Sequence, residues 1–144
     1  MGLQARVKLV LEQGVQGREV HPPRFEAHLA LSGHGIANTN DSVELLDPDG
    51  DGADNLNEYF AGTDPTNTAS VLKVVQVSPG AASNFVLDWA SVAGKVYDIR
   101  WIADLMTPPW GTVASNIAAT PPMNVYTVGV TGVGSGFYRV GVQQ

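Results

Sequence analysis

Between residues 47 and 58 the chain reads DPDGDGADNLNE, with an oxygen-bearing side chain at every second or third position. Asp47, Asp49 and Asp51 stand at positions 1, 3 and 5 of the run, Asn55 at 9 and Glu58 at 12, and Ala53 can offer its main-chain carbonyl at 7. Gly52, at position 6, falls where such a run must reverse sharply, in a conformation that a Cβ resists. Hard oxygens at this spacing wrap a hard divalent cation. Calcium takes six to eight of them at about 2.3–2.6 Å, and Glu58 can supply two. Magnesium is smaller, gives up water reluctantly and suits that many protein oxygens poorly. A solvated acidic turn would also be rich in Asp and Gly, but turn chemistry does not ask for Asn at position 9 together with Glu at position 12.

The spacing is that of an EF-hand-type loop, and its flanks say what kind of site to expect. Asn55 to Ala61 predicts two helical turns stopped by Gly62, whereas Ser42 to Leu46 offers barely one turn. The sequence holds no second loop, no long helix pair and no methionine-rich groove, the parts with which a calcium sensor opens a binding surface. The expectation is a structural clip for one Ca2+, with a Kd on the order of 10⁻⁴–10⁻³ M, as in extracellular modules. That affinity is useful where calcium is millimolar, so the expected location is extracellular, at a cell surface. The spacing leaves three roles open for Asp64: a further ligand, a helix-end cap or a turn residue.

The elements that must hold this loop are mostly strands. Glycine (16) and proline (9) are plentiful in 144 residues, and the second half is crowded with Val, Ile, Thr and Tyr. Three stretches follow. Residues 1–40 form an N-terminal β arm with strand-like alternation at Val7/Leu9/Leu11 and at Phe25/Ala27/Leu29/Leu31, parted by His21-Pro22-Pro23-Arg24. Residues 41–70 carry the acidic loop and the short helix. Residues 71–144 alternate at Phe85/Leu87/Trp89, Tyr97/Ile99/Trp101, Tyr126/Val128/Val130 and Tyr138/Val140/Val142, with turn signals between. About six strands at that spacing predict a mainly β fold: a small antiparallel β-sandwich, immunoglobulin- or fibronectin III-like, with the calcium loop and one short helix attached. By strand parity Asp88 and Asp98 should face a solvated side. Whether the arm pairs within its own sheet or with a neighbour's is left open.

The run DPDGDGADNLNEYFAGTDPTN resembles the calcium-binding segments, related to thrombospondin type 3 repeats, of secreted bacterial surface proteins. In that family an EYxxGTDP tail follows the loop, as Glu58-Tyr59 and Gly62-Thr63-Asp64-Pro65 do here. The pattern FVLDWASVAGKVYDIRWIADL, then Trp110 and a terminal Phe137-Tyr138-Arg139-Val140, is similar to the C-terminal β domain that often follows such loops. The resemblance covers residues 41–144 and implies no activity. Dockerins share the loop chemistry but use two loops, so cohesin binding is not expected.

Other chemistries fare worse. Eight of the fourteen acids (Asp41, Glu44, Asp47, Asp49, Asp51, Asp54, Glu58, Asp64) lie between residues 41 and 64, where there is no Lys or Arg, so the net charge of −6 is local. An acidic surface makes nucleic acid a poor partner. With no cysteine, thiolate zinc sites, disulfides and cysteine nucleophiles are excluded. His21, His28 and His34 lack the spacing of a zinc site. Gly129 to Gly136 lacks the lysine and helix of a phosphate loop, and no serine sits in a nucleophile elbow. No apolar run is long enough to span a membrane, and Met1 to Gly14 does not read as a secretory signal. The expectation is a non-catalytic protein, either a subunit or segment of a surface fibre that self-associates or joins neighbouring domains, or a spacer or anchor module. A third option is polysaccharide binding, for which Trp110 is the loop aromatic.

Overall fold

The computed structural model describes residues 7–9, 41–81, 84–129 and 136–143. The segment Phe25 to Leu31, the turn from Ser32 and the three histidines lie outside the described residues. The chain forms two compact units, one containing the first strand and everything from Lys73 onward, the other containing the acidic loop up to Leu72.

Among the described residues the first unit is a β-sandwich of seven strands: β1 (Val7–Leu9), β2 (Val74–Pro79), β3 (Phe85–Ala90), β4 (Val96–Ile102), β5 (Gly111–Ala118), β6 (Met123–Val128) and β7 (Gly136–Val142). One sheet runs β1-β7-β4-β5 and the other β2-β3-β6. Every pairing is antiparallel except that of β1 with β7, which is parallel with Val7 opposite Gly136 and Leu9 opposite Tyr138. The start of the N-terminal arm therefore pairs within its own chain.

Alternation positions the core as expected. Phe85, Leu87 and Trp89 of β3 are buried, as are Tyr97 and Ile99 of β4, Val128 of β6 and Tyr138 of β7. Two edge-to-face aromatic pairs join the sheets, Phe85 with Tyr138 at 4.8 Å and Trp89 with Tyr97 at 5.7 Å between centroids. The Tyr97 hydroxyl accepts from the Val92 main-chain N–H at 2.8 Å, so its polar end is satisfied at the edge of the core. Asn124 continues the inward face of β6 opposite Trp89. It is tolerated there because its amide donates to the Ala118 carbonyl and accepts from the Thr120 N–H, each at 2.9 Å.

One expectation about the outer face fails. Asp98 points away from the core, as its parity requires, but it is buried (7 % exposed) rather than solvated. The reason is its place on β4, an interior strand between β5 and β7. Its cross-strand neighbour is Gly141, which leaves room for the carboxylate, and Arg100 donates to it from Nε at 2.6 Å. A Cβ at Gly141 would stand 2.7 Å from Asp98 Oδ1, so glycine is needed there for space rather than for backbone freedom. Asp88 is half-buried on the other sheet.

The described part of the second unit contains a 3₁₀ helix, Asp41–Leu45, and one α-helix, α1, Asn55–Ala61. Asp54 caps the N-terminus of α1, accepting from the Asn57 N–H at 2.8 Å, and Gly62 ends it in the left-handed conformation at φ 74°. Among the described residues no helix is long and apolar enough to cross a membrane.

Candidate metal centre

The loop between the two helices is held by its own side chains. Asp47 accepts the Gly50 N–H at Oδ1 (2.8 Å) and the Gly52 N–H at Oδ2 (3.0 Å), Asp49 accepts the Asp51 N–H (3.2 Å), and Asp51 accepts the Ala53 N–H (2.8 Å). Short polar side chains bonding to N–H groups two to five residues on curl the backbone and turn the carboxylates to a common side. Gly50 and Gly52 take φ of 76° and 95°, and nothing lies within 4 Å of where a Cβ would be at either. Backbone conformation alone, not space, demands glycine. Gly52→Ala should therefore cost about 1–2 kcal/mol of stability, measurable in urea denaturation with calcium present. Asp54→Ala, which removes only the helix cap, should cost about 1 kcal/mol in the same experiment.

Ligand oxygens of Asp47, Asp49 and Asp51 come within 4.8 Å of one another, a cluster that could hold a metal ion. A second observation is independent of that clustering. Asn55 and Glu58 point inward from the first turn of α1 and are 0 % and 1 % exposed, yet Asn55 Oδ1 and both Glu58 carboxylate oxygens have no hydrogen-bond partner. Asp49 Oδ2 and Asp51 Oδ2 are likewise buried and unpartnered. Burying an unpaired carboxylate costs several kcal/mol unless a cation or a proton compensates. The strain shows in Glu58, whose carboxyl is pushed up from 4.5 to about 7, first by burial and then by the charges of Asp51 and Asp49. Asp49 is also raised, by burial first and, in smaller measure, by Asp51 and Asp47. Hard oxygens left buried without partners beside a carboxylate cluster fit a hard cation.

The structure thus clusters the carboxylates of Asp47, Asp49 and Asp51, sets Glu58 within reach of their charges, and buries Ala53 and Asn55 in the same stretch of chain. Asp64 makes a turn contact, its Oδ1 accepting both the N–H (3.1 Å) and the hydroxyl (2.7 Å) of Thr66. Sequence reasoning missed the part of the 3₁₀ helix. Val43 and Leu46 each give a main-chain carbonyl to Asn55, to its amide at 2.7 Å and its N–H at 2.9 Å. Backbone acceptors carry no residue-type signal, so no motif could have marked them.

Trp89 and Tyr97 are core residues, and the guanidinium of Arg139 lies 4.4 Å from the centre of the Trp110 ring. No aromatic among the described residues is fully exposed.

No family model matches the chain, and neither characterised proteins nor solved structures give a match to it.

Proposed function

We propose that this chain is a non-catalytic, calcium-stabilised structural module of an extracellular surface, a subunit or segment of a fibre. One Ca2+ is held by Asp47, Asp49, Asp51, the Ala53 carbonyl, Asn55 and Glu58, and its role is to neutralise and cross-link the loop. The observation that carries the reading is the set of buried oxygens without partners on Asp49, Asp51, Asn55 and Glu58. A fold that leaves these groups unsatisfied gains most from a hard divalent ion. Calcium at millimolar concentration outside the cell matches the weak, single-loop character of the site.

Assembly is supported by the edge of the sandwich. Over its described residues, Val7–Leu9, the parallel strand β1 covers Gly136 to Tyr138 of the seven-residue β7. An edge slot that takes a short N-terminal strand can take the same strand from a neighbour, and repeating that exchange head to tail builds an open filament. Light scattering in millimolar calcium tests this. A concentration-dependent mass far above 15.2 kDa, lost when residues 1–12 are deleted while the sandwich stays folded, is the expected result. A mass of one chain at every concentration, with and without chelator, would exclude the filament and leave a monomeric spacer.

A further inference from the structure

We propose that the Val43 carbonyl belongs to the cation site: it fixes the Asn55 amide so that Oδ1 faces the ion, and through it calcium occupancy is coupled to the 3₁₀ helix Asp41–Leu45. This inference rests on the calcium reading of the loop and adds to it a residue outside the loop and a direction of communication.

An asparagine amide has a donor end and an acceptor end of almost the same shape, and only its surroundings decide which end faces where. A cation accepts one end and repels the other. Here Asn55 Nδ2 donates to the Val43 carbonyl at 2.7 Å, and a carbonyl can only accept. Oδ1 is therefore turned to the opposite side, where it is buried without a partner. The same carbonyl also accepts the Leu46 N–H at 3.2 Å, and the Leu46 carbonyl accepts the Asn55 N–H at 2.9 Å. Residue 55 thus grips the end of the 3₁₀ helix at two points, while its remaining oxygen is buried and without a partner. Outer groups that orient a metal ligand in this way commonly change affinity by about 10–100-fold when they are lost. An ion that polarises Oδ1 makes Nδ2 a better donor, so binding tightens the grip on Val43. A more ordered 3₁₀ turn, in return, holds Oδ1 ready for the ion. By linkage the two effects are equal in size.

Asn55→Asp separates this arrangement from a plain ligand role. If residue 55 only offers an oxygen, aspartate adds charge and should bind calcium as tightly or more tightly. If the Val43 carbonyl sets the orientation, aspartate places an acceptor against an acceptor, and calcium affinity should fall about tenfold. Isothermal titration of the full chain and the variant gives both numbers. The titration of the unmodified chain comes first, and absence of calcium binding there would sink the calcium reading itself. Hydrogen exchange in the unmodified chain supplies the second readout and needs no variant to fold. Calcium should slow exchange of the Leu46 and Asn55 amides several-fold, and in Asn55→Asp the slowing at Leu46 should be lost. Calcium affinity in the variant equal to or above that of the parent, or exchange at Leu46 indifferent to calcium in a chain that binds it, would overturn the proposal.

Discussion

Removing calcium with excess chelator should lower the melting temperature of the unit that carries the loop by about 6–20 °C. The size follows from mass action. With calcium near 10 mM and a Kd of about 10⁻⁴–10⁻³ M, a ligand that binds only the folded state stabilises it by about 1.4–2.7 kcal/mol. For a unit of about 60–100 residues, each kcal/mol moves the midpoint by about 4–8 °C. The effect is specific in origin: without the ion, Glu58 is buried with both oxygens unpartnered and feels the charges of Asp51 and Asp49, each of which also has one buried oxygen without a partner. Nothing else in the described part of the loop supplies a positive charge, since no Lys or Arg lies between residues 41 and 64. Calorimetry with and without chelator, with magnesium as the control ion, measures the shift. Magnesium should restore little of it, because it keeps its water and prefers a smaller octahedral site. An unchanged midpoint in excess chelator would mean that the loop is stable as an empty acidic turn, and the structural role of the ion would have to be given up.

The cluster of Asp47, Asp49 and Asp51 was legible because its spacing is set by local chain geometry. In a loop closed by Asp47, Asp49 and Asp51 onto N–H groups two to five residues away, sequence distance nearly equals spatial distance. The helix Asn55–Ala61 and its glycine stop were legible for the same reason, both ends being fixed by residues adjacent in sequence. The inward faces of β3, β4 and β7 announced themselves by large apolar groups at every second position. The strands β2 and β5 did not. Each lies at a sheet edge with much of both faces exposed, so burial imposes no period on Val74–Pro79 or Gly111–Ala118. In β5 the register also shifts twice and Asn116 takes a positive φ, which breaks alternation and guards the edge against further pairing. Asp98 misled for a complementary reason. Parity gives the face on which a side chain lies, but its burial depends on which strands flank it, and that Gly141 and Arg100 stand beside it is a matter of register. The partner of β1 was equally out of reach, because pairing Val7 with Gly136 joins opposite ends of the chain.

The calcium-free protein should lose stability as pH rises from 5 to 8, contrary to the usual behaviour of a carboxylate held by a positive partner. Among the described residues Glu58 has no such partner; burial and its acidic neighbours raise its carboxyl from 4.5 to about 7. Between those values the folded chain keeps a proton that the unfolded chain has already released. Folding is therefore favoured at the acidic end of the window and weakened as pH passes through 7, where the carboxylate must ionise in place. Over the whole window the effect of Glu58 amounts to about 3 kcal/mol. Urea midpoints in chelator at pH 5 and pH 8 should show the lower value at pH 8. Calcium inverts the trend, because ion and proton compete for the same oxygens: affinity should be weaker at pH 6 than at pH 8. Glu58→Gln separates the two effects. It removes the titrating group, so the calcium-free midpoints should become nearly equal across the window, while calcium affinity falls at both pH values for want of the charge. If the parent's calcium-free midpoint is instead higher at pH 8, Glu58 must already be ionised and compensated without the ion, and the case for calcium as its partner fails with it.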